Sequence, residues 1–333
     1  ITERPASGVQ PSGSDAENQY NLENLRSFIS IPESCQKDFL QIGTNKKAIS
    51  QKYLSICLLG VTGHGKSSTA NSICGEQLFR SSAGAKSETT QVKGVVTTWG
   101  GVRSEEKILV LDSPGFGDSE GRDTSHISNL VCRLKMIGYV HTFLLIINSE
   151  DPRFDEQLQA TIKIFSQIFG ADFFKNVIVC FTKFRMDKRS QKDREKGKSA
   201  SESRLIDDYC RRFRKDFAYE LPQSQVVFID NIDCDDDLTE PEEKRAFERS
   251  LAFIKDFTVE RKNKPFFCKD IKEVLKEKDE LQRKIIEAAE KFEREKREYI
   301  KEFEHRLQNS LIAEKKAAGE REANLKKAAE ERE

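Results

Sequence analysis

The 333-residue sequence is poor in the residues that build metal centres and disulfide frameworks. It has 4 His, and its 8 Cys are widely separated, with no CxxC pair among them. Cysteines placed in this way are typical of small buried side chains in a reducing compartment. We therefore expect a cytoplasmic protein with no disulfide scaffold and no dedicated transition-metal site.

The sequence also lacks a net charge and a long apolar run. Its 56 Lys and Arg balance 56 Asp and Glu, which removes the usual electrostatic basis for a nucleic-acid partner. The longest apolar runs, such as Phe143–Ile147, are far shorter than the ~20 residues that span a bilayer. The chain begins at Ile1 rather than Met and stops within a charged run. We expect it to be part of a longer protein, with any membrane association left to segments outside this chain.

Composition divides the chain into three parts. Residues 1–50 begin polar and predict a flexible leader, with a short helix near Asn21–Ile29. Residues 51–264 carry the apolar patterns of a folded domain. Residues 265–333 are dominated by charge, and their apolar residues recur at near-heptad spacing. This last part predicts a long charged α-helix with partial coiled-coil character, which either packs on the domain or pairs with a coiled-coil partner.

Six short apolar runs within the domain predict buried strands. They are Tyr53–Leu59, Gln91–Thr98, Lys107–Asp112, Thr142–Asn148, Val177–Thr182 and Gln225–Asp230. Helical patterns separate several of these runs, whereas the Lys- and Arg-rich stretch Asp187–Arg204 predicts an exposed loop, with a continuation into the next helix as the alternative. The alternation predicts an α/β fold, with a mostly parallel six-stranded sheet between helices. In such folds ligands bind beyond the carboxyl ends of the strands.

The first predicted strand leads directly into a phosphate-binding loop, Gly60-Val-Thr-Gly-His-Gly-Lys-Ser67. The glycines Gly60, Gly63 and Gly65 let backbone N–H groups turn towards phosphate oxygens, with Thr62 and His64 between them. Lys66 supplies a charge to the β- and γ-phosphates, and the Ser67 hydroxyl binds Mg²⁺. The helix that follows, which begins with Ser67 and Ser68, points its positive end at the anion.

A second motif, Leu109-Val-Leu-Asp-Ser-Pro-Gly115, ends another predicted strand. Asp112 is placed to join the magnesium shell, and Gly115 lets its backbone N–H approach the γ-phosphate. The two motifs predict a Mg²⁺-dependent nucleoside triphosphatase fold, but they do not identify the base.

The order of motifs resembles the immunity-associated nucleotide-binding (IMAP-type) GTPases, relatives of septins and chloroplast import receptor GTPases. The resemblance extends from Tyr53 to about Glu260. Its motifs are Gly60–Gly75, Asp112–Asp118, His141–Ile147 with Arg153-Phe154, Cys180–Lys183 and Phe228–Asn231. The segment from His141 to Phe154 resembles the box that distinguishes this family from other small G proteins. The resemblance implies a G domain that binds GTP or GDP with Mg²⁺ and hydrolyses GTP.

The resemblance also assigns residues to the metal and the base. Thr89, with Thr90 as the alternative, matches the threonine that the γ-phosphate and Mg²⁺ order. Thr182 and Lys183 match the base-binding motif. Arg185 stands where most G proteins carry the carboxylate that reads guanine, which weakens the assignment of strict guanine selectivity.

Two further positions offer contacts to the base. Asp187 lies two residues beyond Arg185 and carries a carboxylate. Asn231, at the end of the last predicted strand, resembles an asparagine that contacts guanine in the family.

The sequence lacks the residue that usually orients the attacking water in GTP hydrolysis. Ras-like proteins orient the attacking water with a glutamine just after the second motif, but this chain has Phe116 there. Slow turnover is therefore expected. In the resembled family the arginine that matches Arg153 can act in trans across a nucleotide-dependent homodimer; the alternative is a surface arginine beside Asp151 or Asp155. His64 is a second candidate for a contact across such a dimer. The alternative is a GTP-binding scaffold with negligible hydrolysis.

Overall fold

The computed structural model describes residues 22–42, 45–80, 91–102, 106–116, 123–152, 154, 156–232 and 240–268, together with 294 and 297. The chain divides into two units, Ile1–Ile285 and Ile286–Glu333. Arg294 and Arg297 are the described residues of the second unit, and both are helical. The start of the helix predicted over residues 265–333 is wrong, because Phe266 and Phe267 form a short strand that pairs with Tyr139–Val140. Most of the later residues lie outside the described ones, so the rest of that helix and the domain limits stay predictions.

Nine strands are described in the first unit. They are β1 (Ile29–Ser30), β2 (Leu54–Gly60), β3 (Lys93–Thr98), β4 (Lys107–Asp112), β5 (Tyr139–Val140), β6 (Thr142–Asn148), β7 (Val177–Thr182), β8 (Val226–Phe228) and β9 (Phe266–Phe267). Seven form one sheet in the order β1-β3-β4-β2-β6-β7-β8, while β5 and β9 pair with each other. Among the described strands of the large sheet, β3 and β4 pair antiparallel and the other neighbours pair parallel. The predicted α/β class and mostly parallel sheet are confirmed.

The predicted strand number is wrong, because the sheet has seven strands rather than six. The additional strand is β1, in which Ile29 lies opposite Gly94 of β3. Leu25 and Phe28, which precede it, are buried. Residues 22–26 are helical, where the sequence predicts a short helix near Asn21–Ile29. The described residues 22–42 and 45–50 contain helices and a strand, and so they do not form the flexible leader predicted over residues 1–50. A two-residue edge strand is too short to give an alternating pattern, so the sequence does not predict it.

Eight helices of the first unit have the following bounds. They are α1 (Glu33–Phe39), α2 (Lys46–Lys52), α3 (Lys66–Cys74), α4 (Asp123–Ile137), α5 (Glu156–Phe169), α6 (Lys188–Glu195), α7 (Glu202–Phe217) and α8 (Pro241–Glu260). Helix α6 lies where a loop was predicted. It buries none of its residues, so it has no apolar stripe to reveal it, and the Asp187 side chain caps its N-terminus.

The centre of the sheet is apolar on both faces. Every residue of β2 and β7 is buried, as expected of parallel strands covered by helices on both sides. Parallel pairing sets Leu58 opposite Asp112 and Asn148 opposite Thr182. The carboxyl ends of β2, β4, β6 and β7 therefore meet at one edge of the sheet. No helix in the described part of the chain combines the length and apolar character needed to cross a bilayer.

Candidate nucleotide-binding site

The phosphate loop links β2 to α3 at that edge of the sheet. Gly63 and Gly65 have φ angles of 79° and 91°, a left-handed conformation that favours glycine. A Cβ atom at Gly60 would overlap the backbone oxygen of Ile146 on the neighbouring strand. The loop thus requires glycine at the positions that the sequence motif supplies.

Lys66 is buried at the first position of α3. Its Nζ atom donates hydrogen bonds to the backbone oxygens of Gly60, at 3.1 Å, and Val61, at 3.0 Å. Burial lowers the pKa of the Lys66 ammonium to about 8, while the nearby Asp112 carboxylate opposes that shift. The cation is held within the loop, where the motif predicts a charge for phosphate.

Ser67 and Asp112 join the two predicted motifs. The Ser67 hydroxyl at the start of α3 donates a hydrogen bond to Asp112 Oδ2 at 2.7 Å, and Asp112 ends β4 and is fully buried. Hydroxyl and carboxylate oxygens are the donors that Mg²⁺ prefers, so this pair fits the implied metal ion. Thr89, the third predicted ligand, lies outside the described residues.

The segment after Asp112 contacts the phosphate loop through its backbone. The Phe116 N–H donates to the Gly60 oxygen at 3.2 Å, and the Thr62 N–H donates to the Phe116 oxygen at 3.4 Å. A Cβ atom on Gly115 would overlap Thr62, so the close approach predicted for Gly115 requires glycine. The Phe116 side chain is buried and packs edge-on against Phe165, with ring centroids 5.2 Å apart.

Thr182, at the end of β7, supports the loop from the other side. Its hydroxyl lies 2.5 Å from the backbone oxygen of His64 and 3.2 Å from that of Ile147. Lys183 follows with an exposed side chain and a φ angle of 56°, which is uncommon for a residue other than glycine. Strand β7 therefore positions the predicted base-binding segment directly beside the phosphate loop.

Asn231 connects the end of the last strand to α3. Its Nδ2 atom donates to Thr69 Oγ1 at 2.9 Å, and its Oδ1 atom accepts from the Ser72 hydroxyl at 3.0 Å. Ser68, the remaining predicted residue of this helix, accepts the Ser72 hydroxyl on its backbone oxygen. The predicted asparagine thus lies against the helix that carries Lys66 and Ser67.

Asp187 has a local structural role. Its carboxylate accepts hydrogen bonds from the backbone N–H groups of Arg189 and Ser190, both at 2.9 Å, and from the Ser190 hydroxyl at 2.6 Å. The Ser190 hydroxyl bond is the main cause that lowers the pKa of the Asp187 carboxyl. These bonds cap α6, so they account for the residue without a nucleotide.

Asp230 is a carboxylate that is not among the predicted site residues. Burial raises its pKa, and the Arg185 cation opposes that shift. The Phe184 N–H donates to the Ile229 oxygen at 3.3 Å, which brings the segment after β7 alongside the end of β8. A cavity of about 270 Å³ opens beside this segment, and Lys183 and Arg185 contribute to its lining. In the sequence, Asp230 could have been recognised as a site candidate because it lies at the end of a predicted strand, next to Asn231.

Arg153 lies outside the described residues, but its neighbours on both sides are described. The Tyr209 hydroxyl donates to the Pro152 oxygen at 3.2 Å. Phe154 is buried and packs edge-on against the Tyr209 ring, with centroids 5.2 Å apart. Helix α7 therefore holds the chain just before and just after Arg153.

The fold and the phosphate loop define a nucleotide-binding protein with the architecture of the P-loop GTPases. Residues 54–286 match the AIG1 family. The chain belongs to the AIG1 family, which confirms the resemblance stated from the motifs.

Relatives in plants and animals agree with this assignment. The chain is 34% identical over 145 residues to immune-associated nucleotide-binding protein 7 of Arabidopsis thaliana, covering 42% of this chain and 44% of that protein. It is 25% identical over 292 residues to immune-associated nucleotide-binding protein 3 of Arabidopsis thaliana, covering 81% of this chain and 80% of that protein. It is 34% identical over 141 residues to human GTPase IMAP family member 8, covering 42% and 20%. The chain thus spans less than half of the first relative's length.

One of the similar solved structures, with a TM-score of 0.50, supports the fold. A structure of the chloroplast translocon components atToc33 and psToc159 aligns with a TM-score of 0.50 and 19% identity, covering 74% of this chain and 98% of that one. Toc33 from Arabidopsis thaliana with GDP and Mg²⁺ aligns with a TM-score of 0.45 and 18% identity, covering 72% and 97%. At these identities the likeness concerns the fold alone.

Proposed function

We propose that this chain binds GTP with Mg²⁺ and hydrolyses it to GDP and phosphate, slowly as a monomer and faster in a nucleotide-dependent homodimer. The observation that carries this proposal is the hydrogen bond between the Ser67 hydroxyl and the Asp112 carboxylate. It joins the two motifs that must act together on a triphosphate and its metal ion.

The residues of the loop have distinct tasks in this proposal. Ser67 and Asp112 would hold the metal ion, with Thr89 as the third predicted ligand. When bound, Mg²⁺ neutralises charge on the β- and γ-phosphates. Lys66 would bind the same phosphates, because its cation already lies inside the loop on backbone oxygens that a phosphate can replace. Gly63 and Gly65 would turn backbone N–H groups towards the anion.

One relative is a GTPase by name, which supports guanine as the base of the nucleotide that this chain binds. In this chain Lys183 and the Asp230–Asn231 pair lie at the ends of neighbouring strands, beside the phosphate loop and its helix. Arg185 cannot accept hydrogen bonds from guanine, and it forms an exposed ion pair with Glu150 at 3.5 Å. We therefore propose a preference for GTP that is weaker than that of proteins with the usual aspartate.

The buried side chain of Phe116 supports slow turnover by a single chain. It packs against Phe165 and has no polar atom with which to orient water. In hydrolysis a water oxygen bonds to the γ-phosphorus, the bond to the β–γ bridging oxygen breaks, and GDP leaves with the electron pair. The proton of the water ends on the released phosphate.

A second chain would supply the missing charge stabilisation. Arg153 of one protomer would donate to the γ-phosphate of its partner, as arginine fingers do. Helix α7 holds the residues on both sides of it, and His64 in the phosphate loop is a second candidate at the same interface. Pairing through the predicted carboxy-terminal helix is a separate route to dimers.

A GTP-binding scaffold with negligible hydrolysis is the second candidate function, and the buried Phe116 favours it. Two measurements on the full chain separate the possibilities. Nucleotide extracted from the purified protein identifies the base, and phosphate release with Mg²⁺ or with EDTA measures turnover. We expect guanine nucleotide and Mg²⁺-dependent release that Lys66→Ala abolishes. A matched variant at an exposed lysine, Lys188→Ala, should change neither. Bound GTP without phosphate release at any protein concentration would favour the scaffold, and bound adenine nucleotide would contradict both.

A further inference from the structure

The Thr62 hydroxyl is a polar group of the phosphate loop that no structural bond explains. Its Oγ1 atom is buried, and it has no hydrogen-bond partner within the described part of the chain. Most buried hydroxyls in native proteins are bonded, because a buried hydroxyl without a partner destabilises the fold. An unbonded hydroxyl inside a phosphate loop therefore points to a role with the ligand.

The hydroxyls of two other threonines at the same site do make structural hydrogen bonds. Thr69 Oγ1 donates to the Gly65 oxygen at 2.9 Å and accepts from Asn231. The Thr182 hydroxyl bonds to the His64 oxygen. Each of these hydroxyls connects two segments of the chain by hydrogen bonds. The Thr62 hydroxyl makes no such bond among the described residues.

The surroundings of Thr62 identify which part of a nucleotide it would meet. A Cβ atom built on Gly115 would collide with the hydroxyl, the Cα and the Cβ of Thr62. The hydroxyl therefore lies directly against Gly115, the residue whose N–H is predicted to approach the γ-phosphate. The Thr62 backbone also bonds to Phe116, which occupies the position of the missing glutamine. Thr62 thus lies at the γ-phosphate end of the loop, where the water-orienting group is absent.

We infer that the Thr62 hydroxyl is a catalytic group, which donates a hydrogen bond to the γ-phosphate as water attacks. The inference rests on the proposed GTPase function and adds a residue to it. The hydroxyl keeps its own proton and forms no covalent bond. Its contribution is to stabilise negative charge that grows on the phosphate oxygens as the bond to GDP breaks.

The test compares Thr62→Val, which removes the hydroxyl at nearly the same shape, with Thr62→Ser, which keeps it. Single-turnover hydrolysis is followed at saturating Mg²⁺-GTP in the full chain, and GTP and GDP affinities are measured in parallel. Thr98→Val is the matched control, because Thr98 is a half-buried threonine of β3 that lies opposite Lys107, at the far end of the sheet. We expect Thr62→Val to slow hydrolysis at least about tenfold while both affinities stay within about threefold. Thr62→Ser and Thr98→Val should keep the wild-type rate within about threefold.

Three results would overturn the inference, and each has a different meaning. Equal rates for wild type and Thr62→Val would remove Thr62 from catalysis and leave the GTPase function intact. Parallel loss of rate and of both affinities, without rescue by Thr62→Ser, would assign the residue a structural role. A wild-type chain that binds GTP and never hydrolyses it would contradict the proposed hydrolysis itself, and the role of Thr62 with it.

Discussion

The hydroxyl of Ser67 donates to the carboxylate of Asp112 at 2.7 Å, although 45 positions separate the two residues in the chain. Each side chain is positioned by a backbone element that ends or begins at the same edge of the sheet. Ser67 lies in the first turn of α3, and Asp112 is the last residue of β4. Because β2 and β4 are parallel neighbours, the phosphate loop that follows β2 meets the carboxylate at the end of β4.

Replacing Ser67 should separate metal-dependent from metal-independent binding. Ser67→Asn removes the hydroxyl beside Asp112, so we expect the affinity for Mg²⁺-GTP to fall more than the affinity for GDP. Titration calorimetry with each nucleotide measures the difference. Ser166→Asn is a suitable control, since the Ser166 hydroxyl bonds within its own helix, to the Lys163 oxygen. An equal loss for both nucleotides would argue against Ser67 as a metal ligand.

Restoring the glutamine of Ras-like proteins at position 116 should not restore fast hydrolysis. The Phe116 ring is buried against Phe165, so Phe116→Gln places an amide in an apolar site. We expect the free energy of unfolding to fall by about 2–4 kcal/mol, with no gain in turnover. Phe116→Leu, which stays apolar, should lose less. Denaturant unfolding and phosphate release measure both quantities, and faster hydrolysis at unchanged stability would contradict the packing argument.

The base preference should depend on Asp230 more than on Asp187. Asp187 caps α6 with three hydrogen bonds, so Asp187→Ala should lower stability by about 1 kcal/mol and leave the ratio of GTP to ATP affinity unchanged. Asp230→Asn keeps the shape but removes the acceptor charge, and it should lower that ratio. Competition binding with the two nucleotides measures it. A ratio that falls in Asp187→Ala and holds in Asp230→Asn would restore the original assignment of Asp187.

His141, in the segment that resembles the family's box, should make the fold sensitive to acid. Its Nδ1 atom accepts from the Ser55 N–H at 2.9 Å, and burial lowers its pKa to about 4. The folded state therefore binds fewer protons than the unfolded state between about pH 4 and 6.5. The free energy of unfolding should fall as the pH drops through that window, by up to about 3 kcal/mol.

The control is His141→Asn, whose Oδ1 can accept the same hydrogen bond but does not titrate. Chemical unfolding across the window, compared between wild type and this variant, isolates the contribution of His141 from that of other groups. Parallel pH profiles for the two proteins would show that His141 carries no such contribution.

Strands and motifs could be predicted from the sequence where a contiguous run of residues defines them. Five of the six predicted strands give short apolar runs because they are buried on both faces, whereas β3 is only partly buried. The loop from Gly60 to Ser67 is one contiguous motif. Strand β1 has two residues, and α6 buries none of its side chains, so neither carries a periodic pattern. The Thr62 hydroxyl lies against Gly115 only in the folded chain, and no spacing along the sequence reveals this contact.

In the proposed mechanism, one chain completes the hydrolytic site of another. The direct measurement is the rate of GTP hydrolysis per molecule at increasing protein concentration, for wild type, Arg153→Ala and the exposed control Arg204→Ala. We expect the wild-type and control rates to rise steeply, since arginine fingers contribute roughly 10³–10⁵ in rate, and the Arg153→Ala rate to stay low at nearly unchanged GTP affinity. A wild-type rate per molecule that stays flat over the whole range, or an Arg153→Ala rate that rises in parallel with it, would contradict the claim.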